Sequence, residues 1–313
     1  MSNEEKDFSV NKIKEYKFIH ESSFYKIFNE FDWRCDYHEY RDDKDSCYPV
    51  EEKERKFTSS DEVDNLLKTL YSNLYRVYFT KERTGNDYFD NNQIEVKKMG
   101  CIYLKYWLYD QITSKSFSES QITEFFNGIN THIKGKIRTF PEDHCNFNNL
   151  SLDEVKSIKK LYAFNAIIYT GYNISDACKN KGCNYDYLEE ALIEFINSIK
   201  KCSSDSSNNA YCNEFNEFLS VCNDGNTYSG ISINDVYKGY STDRSNKYLS
   251  VEKYKEKPLY IYIKNNKWLK FDKISHLLHT ENSTTIVATS VVGSAVGLSS
   301  IFYYLYKVSL NPI

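Results

Sequence analysis

IVATSVVGSAVGLSSIFYYLY, residues 286–306, carries no charged side chain over 21 positions. Coiled as a helix at about 1.5 Å per residue it would be roughly 31 Å long, the thickness of a bilayer's hydrocarbon core. Glu281 and Asn282 precede it and Lys307 follows. Tyr303, Tyr304 and Tyr306 gather at one end, where amphipathic rings favour the headgroup boundary. Thr289, Ser290, Ser294 and Ser299 are polar, but in a helix their hydroxyls bond to carbonyls one turn back. A buried helix of a soluble fold is the competing reading; a core helix of this length usually keeps a polar edge, and this one has none. The stretch therefore reads as a transmembrane helix, with the lipid bilayer as partner and the preceding residues as the soluble part of a single-pass protein.

That soluble part is long enough to bury a substantial core. The chain has 313 residues, with 40 basic and 44 acidic side chains mixed along it and a net charge of −4. Such a balance gives no basic footprint, so no nucleic-acid partner is expected. Tyr (28) and Phe (19) are abundant while Pro (4) and Met (2) are scarce, a bias that an A/T-rich coding sequence would produce by itself. Residues 1–17 contain no uninterrupted apolar run and no small-residue cleavage site, so a cleavable signal is not expected there and the C-terminal span would serve instead.

All nine cysteines lie before the span, and the last five, Cys178, Cys183, Cys202, Cys212 and Cys222, fall within 45 residues in polar surroundings. Exposed thiols of that kind point to pairing in an oxidising compartment. An odd total leaves one over. Cys101, inside an aromatic-rich helix, is the expected free thiol. Cys35 and Cys47 would pin the two sides of a charged loop, and a bridge from Cys202 would tie down the polar hinge Ser203 to Asn209.

Apolar periodicity predicts six or seven helices joined by those loops. Glu15 to Phe31 reads as the first, with Phe24, Ile27, Phe28 and Phe31 on one face. Ser59 and Glu62 suggest a capping box ahead of a stripe through Val63, Leu66, Leu67, Leu70, Tyr71, Leu74 and Tyr75. Gln93 to Ile112 is apolar on almost every face and is placed centrally. Ile122, Phe125, Phe126, Ile129, Ile133 and Ile137 mark a helix ended by Pro141. A second capping box, Ser151 and Glu154, opens a helix stopped by Gly171. Leu188 to Ile199 and Tyr211 to Cys222 complete the set. Residues 223–257 lose periodicity and read as a polar stalk; LYIYIK at 259–264 and residues 267–271 would form a small hairpin or an extended tether. The expected fold is mainly α: a disulfide-stapled helical bundle ectodomain (1–222), a polar stalk or juxtamembrane segment (223–285), one transmembrane helix (286–306) and a short tail (307–313).

Motifs that carry chemistry are few. The sequence has no phosphate-binding glycine loop, no His-Glu-x-x-His and no Gly-x-Ser-x-Gly elbow. His276 and His279 stand three apart without further ligands nearby, so no metal site is expected. Asp143-His144-Cys145 follows Pro141 in a loop, where Cys145 fits a half-cystine better than a nucleophile. Asp42, Asp43 and Asp45 lack the glycine turn and terminal glutamate of a calcium loop. No catalytic, cofactor or metal residues are assigned. Asn149, Asn173 and Asn282 begin glycosylation triplets, which an Asn-rich chain also yields by chance. Gly293 and Gly297 have the spacing that brings two spans into contact, although small residues in a solitary span look the same.

Three pieces together resemble the Plasmodium interspersed repeat (PIR) family of malaria variant antigens, especially the Vir branch of Plasmodium vivax and related simian parasites. They are CIYLKYWLYDQI (101–112), AYCNEFNEFLSVC (210–222) and the span with its flank, SVVGSAVGLSSIFYYLYK. The resemblance extends from about Phe24 to Lys307. It implies a non-enzymatic variant antigen on the infected red cell membrane or in exported parasite membrane compartments. Immune evasion is the implied role, with host cell-surface receptors and antibodies as partners. Family members usually continue after the span with a longer tail than Lys307 to Ile313. Lys267, Lys270 and Lys273 precede the span and only Lys307 follows, which favours a cytoplasmic domain; the clustered cysteines favour an exoplasmic one. The expected topology is exoplasmic, and a tail-anchored structural or trafficking protein is the alternative. Sequence change would concentrate in the loops Cys35 to Ser60, Cys202 to Tyr211 and Asn223 to Lys257.

Overall fold

Apolar side chains spaced three and four apart can leave water only if their helices pack face to face. The computed structural model describes residues 8–33, 56–82, 86–134, 136–137, 145–171, 186–203, 209–222, 231–234, 247–254 and 257–263, and these are mainly helical. In order the helices are α1 (Val10–Ile13), α2 (Lys17–His20), α3 (Ser23–Glu30), α4 (Asp61–Glu82) and α5 (Gln93–Ser114). They continue with α6 (Glu119–Gly128), α7 (Leu152–Gly171), α8 (Asp186–Lys201) and α9 (Ala210–Val221). α5 and α7 pack along each other at the centre; α3 and α4 flank α5, while α2, α8 and α9 flank α7 and α6 lies against α4.

The central place of α5 follows from its composition: Met99, Leu104, Leu108, Tyr109 and Ile112 are all completely buried although they point in different directions. Gly100 sits where α4 comes close, for a Cβ there would lie 3.0 Å from Val77 Cγ1. On α3 the expected face is buried, with Phe24, Ile27, Phe28 and Phe31 at most 1% exposed. Aromatic edges fill the α3–α5 contact: the Phe24 ring stands 5.0 Å from Tyr103 and 5.7 Å from Tyr106.

Four local expectations are corrected. The single helix from Glu15 to Phe31 is two, because Ser22 starts α3 afresh: its hydroxyl accepts the Tyr25 N–H at 3.1 Å. At α4 the cap is Ser60 and not Ser59, since Ser60 Oγ accepts from Val63 N, while Ser59 gives both its N–H and its hydroxyl to Glu124 at 2.8 Å. The helix through Ile122 stops before Pro141: after Gly128 the backbone widens into a π-type turn, Ile129–Ile133, and Lys134 is already extended. Its start is a Ser118–Gln121 capping box that the sequence pattern Ser-x-x-Gln would have disclosed. The Ser151–Glu154 box stands as expected.

The fourth correction concerns the stalk. Residues 231–263 contain a three-stranded antiparallel sheet, β1 (Ile231–Asn234), β2 (Lys247–Tyr254) and β3 (Lys257–Ile263), in the order β1-β3-β2. LYIYI is thus a central strand, and its partners lie upstream: Ile261 pairs with Ile233 on one side and Leu249 on the other. Pro258 has no N–H to give, and the ladder is irregular between Val251 and Tyr254, the stretch facing it. Residues 267–271, the other half of the expected hairpin, lie outside the described residues, as does the stretch 286–306. Among the described residues no helix is long and apolar enough to cross a membrane.

Two side chains of α4 close the end of α3, whose last carbonyls have no helical partner. Arg76, 1% exposed, donates through Nη2 to Glu30 O at 2.6 Å and Trp33 O at 2.9 Å. Asn73 Nδ2 takes Phe31 O at 2.8 Å. The Arg76 guanidinium lies 5.2 Å from the Trp33 ring centre and 5.1 Å from that of Phe89.

Truncating Phe24 to alanine should cost about 3–5 kcal/mol, whereas Ile94→Ala, at a site 69% exposed, should change stability by less than about 0.5 kcal/mol. Urea unfolding of the oxidised chain followed by far-UV circular dichroism measures both.

Candidate functional site

Although α5 is apolar on nearly every face, it carries Lys105 and Asp110 inward, 2% and 4% exposed. Charges removed from water need partners. Lys105 finds them on α9: its Nζ donates to Glu214 Oε1 at 2.7 Å and also to Glu217 Oε2. Glu214 is completely buried and takes three further donors. Tyr109 from α5 and Tyr162 from α7 give their hydroxyls to Oε1 at 2.7 and 3.0 Å, and Asn148 Nδ2 reaches Oε2 at 2.8 Å. Both oxygens are thereby engaged. The network joins elements; it presents no spare reactive atom.

Asn148 comes from a non-helical run, 145–150, fixed at both ends. At one end Cys145 is bridged to Cys101 of α5, with Cα atoms 5.3 Å apart. At the other, Ser151 caps α7. Between them Phe147 brings its ring centre within 5.6 Å of Lys105 Nζ. Cys145 has a left-handed backbone, φ 51°. Cys101 is therefore not the unpaired thiol: its partner, Cys145, lies in the run directly alongside. A second bridge, Cys202–Cys212, has Cα atoms 5.4 Å apart and ties α8 to α9 across the polar hinge, as expected. Cys222 is buried at the end of α9 and belongs to neither bridge.

Burial, reinforced by the Glu214 carboxylate, holds the Tyr109 and Tyr162 phenols well above their ordinary range. Burial also pushes up the Glu217 carboxyl; Lys105 pulls it down and Glu214 raises it again, and the result lies above the ordinary 4.5. Asp64 behaves oppositely. Burial would raise it, but bonds from Lys68 and from the Phe57 N–H together hold it below the ordinary 3.8.

Roughly 140° further round α5 lies a second polar group. Asp110 Oδ2 accepts the Val10 N–H at 3.2 Å, and Oδ1 meets Lys159 Nζ at 3.4 Å. Lys159 Nζ also donates to Thr113 Oγ1 at 2.7 Å. This ion pair floors a cleft of about 660 Å³ bounded by α1, α3, α5 and α7.

Most residues singled out for chemistry fall elsewhere. His276, His279, Asp143, His144, Asp42, Asp43, Asp45, Asn173, Asn282, Gly293 and Gly297 lie outside the described residues. Asn149 is exposed, and the Ser151 hydroxyl of its triplet is engaged with Glu154. Among the described residues no three His, Cys, Asp or Glu side chains are placed to hold a metal. Sequence reasoning missed Lys105, Glu214 and Asp110. A usable signal existed: charges inside a helix apolar all round have to be buried and paired. What spacing lacks is the identity of a partner 109 residues away.

Glu214→Ala leaves Lys105 buried beside Glu217 alone and should cost about 3–5 kcal/mol in urea unfolding. The raised Glu217 carboxyl binds its proton more tightly in the folded chain than in the unfolded one. Its contribution to stability is full below 4.5 and is lost as pH rises through the raised value. Asp64 contributes above 3.8, and that part is lost as pH falls through its lowered value. Glu217→Gln should therefore narrow its deficit against the parent chain as pH rises from about 4 to about 7, and Asp64→Asn should widen its own as pH rises from about 2 to about 5. Cys101→Ser with Cys145→Ser should cost about 2–4 kcal/mol and speed amide exchange across 145–150, read by hydrogen-exchange mass spectrometry.

Comparison with protein-family models, with curated proteins and with solved structures finds no match to this chain.

Proposed function

We propose that this chain is a membrane-tethered display protein of the PIR variant-antigen kind. A disulfide-stapled helical domain would be held at the infected red cell membrane by the span at 286–306, and its variable loops would meet host receptors and antibodies. The observation that carries the reading is the joint occurrence of CIYLKYWLYDQI, AYCNEFNEFLSVC and the charge-free C-terminal stretch in one chain. Two bridges, Cys101–Cys145 and Cys202–Cys212, support an oxidising compartment. Display also suits the division of the molecule: buried contacts fix the helices, while the polar loops tolerate substitution.

Lys267, Lys270 and Lys273 ahead of the span favour a second reading, a tail-anchored structural or trafficking protein with its domain in a reducing cytoplasm. Trypsin applied to intact infected cells separates the two. Display requires cleavage of the domain without permeabilisation, and mass spectrometry of the unreduced protein should recover both bridges. Protection until the membrane is opened, together with alkylatable Cys101 and Cys212, would establish the second reading instead.

A further inference from the structure

Among the described residues one Asn-x-Ser/Thr triplet is present, Asn149-Leu150-Ser151, and the fold sets its asparagine outside. The positions on either side are tied inward: Asn148 gives its amide to the buried Glu214 at 2.8 Å, and Leu150 is 2% exposed. Asn149 between them is exposed, and its amide makes no hydrogen bond among the described residues. A group attached there displaces nothing that holds the run 145–150. Asn73 and Asn165, by contrast, are completely buried within helices. The backbone at Asn149 is non-helical, and the triplet ends on Ser151, the cap of α7.

We propose that Asn149 is an N-glycosylation acceptor and that transfer to it precedes the closing of the α7 cap. In that step Asn149 Nδ2 attacks the anomeric carbon of a saccharide carried on a lipid pyrophosphate. A C–N bond forms, the anomeric C–O bond breaks, and the pyrophosphate leaves with that electron pair. The amide's proton passes to a base of the transferring enzyme. The hydroxyl two positions on has to be open to that enzyme, which is why the triplet includes it. In the folded chain it is committed: Ser151 Oγ donates to Glu154 Oε2 at 3.2 Å and accepts the Glu154 N–H at 3.4 Å. The Ser151 N–H meets the same carboxylate at 3.0 Å, and the Cys101–Cys145 bridge holds the other end of the run. Acceptance therefore belongs to the chain before it folds, and the folded chain carries the saccharide outward without disturbing a buried contact. The inference rests on the exoplasmic domain of the display reading, the side on which such transfer occurs.

The full chain is translated with microsomes in two forms, as it stands and behind a cleavable signal peptide that delivers the domain to the lumen whatever its own orientation. Resistance to added protease reports the side the domain occupies. Mass spectrometry of the peptide holding Asn149 reports an attached N-acetylhexosamine. The signal-led chain should carry the sugar at Asn149, also when Asn173→Gln and Asn282→Gln remove the other triplets. Asn149→Gln and Ser151→Ala should abolish it, and Ser151→Thr, which keeps both the hydroxyl and the cap, should retain it. Bacterially made chain, oxidised and folded in detergent, should accept the saccharide from solubilised transferase several-fold more slowly than the same chain reduced and carboxymethylated. A signal-led chain shielded from protease yet bare at Asn149 overturns the assignment. Equal acceptance by the folded and the unfolded chain overturns the order of events. If the chain without the added signal is left open to protease, the display reading falls instead, and the signal-led chain still decides Asn149.

Discussion

One carboxylate, that of Glu214 on α9, ties α5, α7 and the run before α7 together. It is completely buried, yet it takes an ammonium from α5, phenols from α5 and α7, and an amide from the run before α7. Burying an ion pair seldom adds net stability, because the desolvation it suffers rivals the attraction it gains. Its effect lies in selection. An apolar α9 could slide or rotate against α5 and α7 at little cost, whereas any shift here would strand a charge in the core. Tyrosine-rich packing alone would not have imposed that choice.

The Cys101–Cys145 bridge works on the same point. It anchors the run that supplies Asn148 and lays Phe147 beside Lys105, so covalent and electrostatic constraints act on one place. Arg76 does comparable work for α3, satisfying carbonyls at its C-terminal end while lying between two aromatic rings. Both cases follow one rule. In each, a buried polar group is met by partners distant in sequence. Such satisfaction keeps the core specific.

Local periodicity was enough to place the helices. The stripe through Val63 and Leu74, the all-round apolar Gln93 to Ile112 and the Ser151–Glu154 box each stand close to where their spacing put them. These features depend on side chains within one or two turns. Where reading erred, a longer-range factor intervened: Glu124 takes Ser59 away from the cap of α4, and β3 finds its partners upstream across intervening polar sequence. The sheet went unread because its strands are only four to eight residues long and β1 pairs with β3 across more than twenty intervening residues.

From its sequence alone the chain determined a mainly helical class, the faces that pack inward, the cysteine count that demands crosslinks, and a charge-free stretch near residue 300. Only the tertiary structure decided which cysteine meets which, that Lys105 faces Glu214, and that Asp32, Gln111, Asn29 and Tyr25 border one cleft. The reason is physical. Hydrophobic periodicity is set by the geometry of a single helix, but a buried charge or thiol is satisfied by whatever the packing of several helices brings within about 3 Å.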